Sequence, residues 1–154
     1  MKKVWIGLVV VLIGIQFIRI DTSNPESVLE QDFLYSTNPP SEIGNLIKTA
    51  CYDCHSNNTV YPWYAQIAPV SWLVGHDIDE GREHLNFSEY GSWDPEKKEH
   101  KLEECAEELE EGEMPMEIYV VMHGEADLTS EQRESLIGWF EQERAKWGSG
   151  HSHE

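Results

Sequence analysis

Five residues, Cys51-Tyr52-Asp53-Cys54-His55, read C-x-x-C-H, the attachment pattern for a c-type haem. The spacing has a chemical reason. Two thiols three positions apart can each form a thioether to one of the two vinyl groups on the same porphyrin edge. The histidine beside the second thiol is then carried under the ring, where its imidazole can bind iron as the proximal ligand. Cys51 and Cys54 are therefore the expected covalent anchors and His55 the expected axial ligand. The rest of the chain then has to condense around one large, flat, apolar plate.

Two other uses of a paired cysteine fit less well. Half of a zinc site needs a second ligand pair at short spacing, and the only other cysteine is Cys105. A thioredoxin-like redox pair belongs just after a strand in a βαβ pattern, and no such pattern surrounds residues 51–54.

Charge narrows the partners. The 154 residues carry a formal net charge of −18. Residues 1–20 hold Lys2, Lys3 and Arg19 and no acid, so the remainder sets 8 basic against 29 acidic residues. Such a chain is repelled by nucleic acid and by anionic lipid surfaces. It suits a soluble face that docks on a basic partner. Six Trp and six Tyr supply side chains able to line a large apolar ligand.

Residues 1–20 stand apart. Val4 to Ile18 is almost wholly apolar behind a short basic start. A helix over that run is about 22 Å long, against about 30 Å for a bilayer core. Arg19 can snorkel and Trp5 can sit at an interface, which lengthens the effective span. A cleaved secretory signal should end in a small-x-small site, whereas this run ends Phe17-Ile18-Arg19-Ile20-Asp21. The expectation is an uncleaved signal anchor forming one transmembrane helix. Lys2 and Lys3 stay in the cytoplasm by the positive-inside rule, which places the rest outside.

Residues 21–40 are polar and broken by Pro25, Pro39 and Pro40. They read as a linker that carries one apolar island, Phe33-Leu34-Tyr35. A folded domain is expected over 41–148, followed by a flexible tail over 149–154, whose His151 and His153 make at most a weak metal site. Within the domain, Ser41 is the expected N-cap of a helix with Ile43, Leu46, Ile47 and Ala50 at i, i+3, i+4, i+7, running straight into Cys51. An aromatic and proline-rich stretch follows over 61–72. Pro69 opens a helix to about Glu83, and Arg82 is a candidate partner for a haem propionate.

Asp94-Pro95 sets an N-cap and N1 for the next helix. Leu102, Cys105, Ala106 and Leu109 form its apolar stripe, with Cys105 a small buried hydrophobe. Between Glu96 and Glu113 there are nine Glu against three Lys. That crowding weakens an isolated helix and sets negative charge at the wrong end of its dipole. Gly112 ends it, and Glu113-Met114-Pro115-Met116 follows. A c-type haem commonly takes a thioether opposite its histidine. Met114, 59 residues after His55, is the leading sixth ligand. Met116, His76 and His123 are the alternatives. Thr129 and Gln132 form a capping box for the last helix, whose inward face is Leu136, Ile137, Phe140 and Trp147. Its natural partner is the 43–50 helix.

Several separate motifs carry a family resemblance. Ala-Cys-Tyr-Asp-Cys-His-Ser-Asn-Asn-Thr (50–59), Tyr-Pro-Trp-Tyr (61–64), Ile-Ala-Pro-Val-Ser-Trp (67–72), Glu-Gly-Arg-Glu-His-Leu-Asn-Phe-Ser (80–88) and Gly-Glu-Met-Pro (112–115), with Tyr119 and His123, resemble the bacterial haem-binding domain family. The likeness covers about residues 41–147. It implies an all-α, cytochrome c-like fold and one covalent haem c on Cys51, Cys54 and His55, with Met114 on the distal side. It also implies maturation outside the bacterial inner membrane, in the periplasm. Related sequences tend to read Met-Pro-Pro where this chain has Met114-Pro115-Met116.

Three functions compete on these grounds. The first is a membrane-anchored monohaem cytochrome passing single electrons to a redox partner, either a basic protein or part of a respiratory membrane complex. The second is a haem enzyme or a gas or peroxide sensor with an open sixth site; a dihaem peroxidase would need a second C-x-x-C-H. The third is a structural haem subunit of a larger membrane complex.

Overall fold

Short-range chemistry sets the ends of the two longest helices. Asp94 Oδ1 accepts from the Lys97 amide at 2.8 Å with Pro95 at the first helical position, and Gly112 closes the same helix at φ 78°. Thr129 and Gln132 exchange side-chain hydrogen bonds at 2.9 and 3.2 Å, the reciprocal cap expected of them. The computed structural model describes residues 1–148, and among these there are helices and loops but no strand. The longer helices are α1 (Lys2–Ile15), α3 (Ser41–Ala50), α5 (Val70–His84), α6 (Pro95–Glu111) and α8 (Ser130–Gly148). Short ones lie between them: α2 (Phe33–Thr37), α4 (Tyr52–His55) and α7 (Glu117–Met122). Short 3-10 turns cover Leu29–Gln31, Trp63–Gln66, Phe87–Ser92 and Gly124–Ala126. The all-helical expectation holds. The histidines of the 149–154 tail lie outside the described residues.

The main packing differs from the expected pair. Helix α8 lies chiefly along α6 and touches α3 as well. Two long helices bury more apolar area together than a long one with a ten-residue one. Leu102, Ala106 and Leu109 of α6 meet Leu136 and Phe140 of α8 in the core. This contact offsets the crowding of glutamates on α6. Arg144 pairs with Glu103 at 2.5 Å. Arg133 donates to the Leu109 carbonyl at 2.9 Å, which puts a cation at the negative end of the α6 dipole.

Phe33 stands at the centre of the core, fully buried. Its ring stacks on Phe87 at 4.7 Å and meets Tyr90 edge-on at 4.7 Å and Trp139 at 5.7 Å. Asp32 fixes the approach: it caps α2 through the Leu34 and Tyr35 amides and accepts from the Tyr52 hydroxyl at 3.1 Å. Tyr52 lies inside the C-x-x-C-H run and also accepts from the Leu34 amide at 3.2 Å, so the 21–40 stretch is wired to the site at both Asp32 and Leu34.

The amino-terminal helix is shorter than the expected span. Helix α1 has 14 residues, about 21 Å of rise. No helix among the described residues is long and apolar enough to cross a membrane. Gln16 follows the last helical residue. Its side-chain amide donates to the Ala68 carbonyl at 2.9 Å and accepts from the Ala68 amide at 3.0 Å. The chain turns there, and residues 16–20 run over α5 instead of continuing the helix. Helix α1 itself buries no side chain.

Candidate haem site

Helix α3 ends at the first thiol, and α4 is one further turn that carries the second thiol and the histidine. Cys51, Cys54 and His55 line one side of a cleft of about 490 Å³. Met114, Pro115, Met116 and Tyr119 come to the same cleft from the loop before α7 and from α7 itself. A second cleft of about 300 Å³ adjoins it and is almost wholly apolar. The two share Cys54, Asp77, Met116 and Tyr119, so they meet at the second thiol. Both volumes fall in the range of cofactor sites.

The imidazole is held in one orientation. His55 Nδ1 lies 2.8 Å from the Gly81 carbonyl and 3.1 Å from the Leu85 carbonyl. Both partners are acceptors only, so Nδ1 carries the hydrogen and Nε2 keeps the lone pair. This is the form that binds iron, and the carbonyls make the ring a stronger donor. Burial lowers the His55 pKa, with the two carbonyls opposing it in part. The neutral, ligating state is therefore favoured.

Gly81 allows this approach. A Cβ there would come within 2.9 Å of the Cys54 carbonyl and 3.1 Å of the Cys54 Cβ. Any side chain on that face of α5 would push the C-x-x-C-H turn away. Burial pushes the Cys51 thiol up to about 12 and the Cys54 thiol up to about 11, with neighbouring Cys54 and Asp53 adding to each in turn. The sulfurs are neutral thiols, unlike the depressed thiolates of redox-exchange pairs. Among the described residues no group of three or more His, Cys, Asp or Glu is placed to hold a bare metal ion.

The rivals for the sixth position separate. His76 is exposed, pairs with Glu80 at 3.5 Å and lines neither cleft. His123 has one ring nitrogen engaged: Nε2 is 2.6 Å from the Tyr64 hydroxyl, while Nδ1 lies 3.6 Å from Glu125. It stacks on Tyr119 at 4.1 Å and faces only the smaller cleft. Met114 and Met116 share the larger cleft with His55. The Met114 carbonyl accepts from Arg133 at 2.7 Å, from the same nitrogen that binds Leu109. That bridge ties the methionine loop to the end of α6.

Some functional positions escaped the sequence reading. The Gly81 and Leu85 carbonyls are main-chain groups, invisible to any motif search. Arg82 is committed elsewhere: it donates to the Ser56 carbonyl, Asn24 and Thr59 at 2.9 Å each. It braces the loop after the histidine, and the propionate role expected of it is not supported. Tyr119 donates to Asp53 at 3.0 Å, which links α7 to the middle of the motif. Cys105 lines the larger cleft as well as its helix stripe, and burial raises its thiol pKa.

The residues present fit a haem. They offer a cleft with apolar side chains such as Leu85, Phe87 and Leu109 beside Glu80, Lys101, Glu104 and Glu108, two neutral thiols on one wall, an imidazole with an oriented lone pair and thioether sulfurs lining the same cleft. Comparison with curated proteins and with solved structures returned no match. Comparison with family descriptions gave one over residues 10–142, the haem-binding domain. With most of its length matched and a site of this chemistry, the chain belongs to the haem-binding domain family.

Proposed function

We propose that the chain is a monohaem c-type cytochrome, held at the outer face of a bacterial inner membrane by residues 1–20, that carries single electrons in the periplasm. The observation that supports this best is the oriented His55 ring in one cleft with two methionines. A haem held by both His55 and a methionine would offer no open site to peroxide or gas. Bound there, the haem supplies a one-electron iron couple.

The chain's own residues do the rest. Cys51 and Cys54 would hold the group through their thiols. His55 would offer its Nε2 lone pair, with the Gly81 and Leu85 carbonyls fixing the ring. Met114 would offer a thioether sulfur from the same cleft. Val74 and Ile78 would give the smaller cleft apolar wall, and Leu109 would add to that of the larger one. The acidic surface of α6 steers a partner of opposite charge.

One experiment tests this. The reduced protein should fail to bind carbon monoxide. Its electron exchange with a small basic redox protein should slow about tenfold or more between low and high ionic strength, as steered encounters do. Ready carbon monoxide binding would mean an open-site haem protein instead. A flat salt profile would remove the basic partner.

A further inference from the structure

We propose that the face built from residues 60–73 and α7 lies on the lipid surface into which α1 inserts, so that the domain rests on the bilayer instead of swinging free on a tether. The proposal rests on the anchor reading given above, and takes it further by assigning an orientation.

The first observation is charge. This is an acidic chain in which 26% of residues are charged, yet no Asp, Glu, Lys or Arg occurs between Asp53 and Asp77. The second is exposure. Within that stretch Val60 is 74% exposed and Trp63 71%, with Val70 and Leu73 exposed beside them. Helix α7 adds Ile118, Val121 and Met122, at i, i+3 and i+4 on one helical face, with Val121 79% exposed. All of these but Val121 line the smaller cleft, so a haem reaching into that cleft would cover part of the same surface. Scattered apolar side chains on a surface need no explanation, but a contiguous patch marks an interaction site.

The third observation identifies the occupant. The root of α1 is docked on this same uncharged stretch. Gln16 brackets Ala68, Trp72 Nε1 donates to the Ile18 carbonyl at 2.8 Å, and Ile20 packs so close to Gly75 that a Cβ there would meet it at 3.0 Å. Whatever surface receives α1 therefore meets residues 60–73 next. Helix α1 is about 9 Å short of the hydrocarbon thickness. A short hydrophobic segment is accommodated by thinning of the bilayer and by flanking groups that sink toward it. An exposed tryptophan among aliphatic side chains at the helix root suits the interface. The lipid should be zwitterionic, because the face has no cationic cluster to draw anionic headgroups.

The full haem-loaded chain is reconstituted in phosphatidylcholine vesicles doped with a diazirine-bearing phosphatidylcholine. After irradiation, lipid adducts are mapped by peptide mass spectrometry. Adducts are expected on α1, on residues 60–73 and on 118–122, and absent from α6. The double variant Trp63→Asp, Val121→Glu should lose most of the domain adducts and keep those on α1. Adducts confined to α1 in the wild type would overturn the orientation and leave the anchor intact. No adducts on α1 would overturn the anchor reading and this proposal with it.

Discussion

Replacing Phe33 with alanine should lower the stability of the haem-loaded protein by about 3–5 kcal/mol. The ring has no exposed surface and contacts aromatics from the Phe87–Ser92 turn and from α8. Removing it leaves a cavity bounded by rigid rings, which collapse poorly. It also frees α2 from the core, and with it the Asp32–Tyr52 hydrogen bond that reaches the C-x-x-C-H turn. Urea unfolding followed by tryptophan fluorescence checks this. The midpoint should drop sharply, and the slope should stay unchanged if only stability is altered. A loss under about 1 kcal/mol would mean that residues 21–40 are a tether resting on a core complete without them.

The second large effect is expected at the distal side. Met114→Ala should abolish the methionine-ligated spectrum and open the iron to carbon monoxide. It should also lower the reduction potential by a sizeable part of the roughly 0.8 V that axial ligands span across haem proteins. Met116→Ala should leave the spectrum intact. Both side chains line the cleft with His55, but Met116 sits where the two clefts join and its carbonyl starts α7. Met114 is fixed through Arg133 to the end of α6, on the side facing only the larger cleft. Potentiometry and absorption spectra of the two variants decide between them. The reverse pattern, with Met116→Ala losing the band, would move the ligand two positions along the chain.

What was legible in the sequence was local. The caps at Asp94, Gly112 and Thr129, and the apolar stripe of α6, depend on residues within one or two turns, so periodicity and turn chemistry find them. The thiol and histidine spacing is local for the same reason. Phe33 was harder: one aromatic in a polar, proline-broken stretch reads as a linker, because its partners lie 54 to 107 residues away in the chain. The α6–α8 pairing was missed because apolar stripes tell which face is buried and not against what. Gly81 and Arg82 sit side by side with opposite outcomes. The glycine matters through a backbone contact with Cys54, and the arginine spends its donors on Ser56, Asn24 and Thr59. The docking of Gln16 on Ala68 is a tertiary contact that hydropathy does not see.

All of this turns on a porphyrin bonded to two sulfurs. The most direct measurement is the intact mass of the chain made in a host that performs thioether attachment, denatured before analysis. The expected mass is that of the polypeptide plus one haem, with the added mass lost only when both Cys51 and Cys54 are replaced by serine. A denatured chain of bare polypeptide mass, with two free thiols at 51 and 54, would contradict the account.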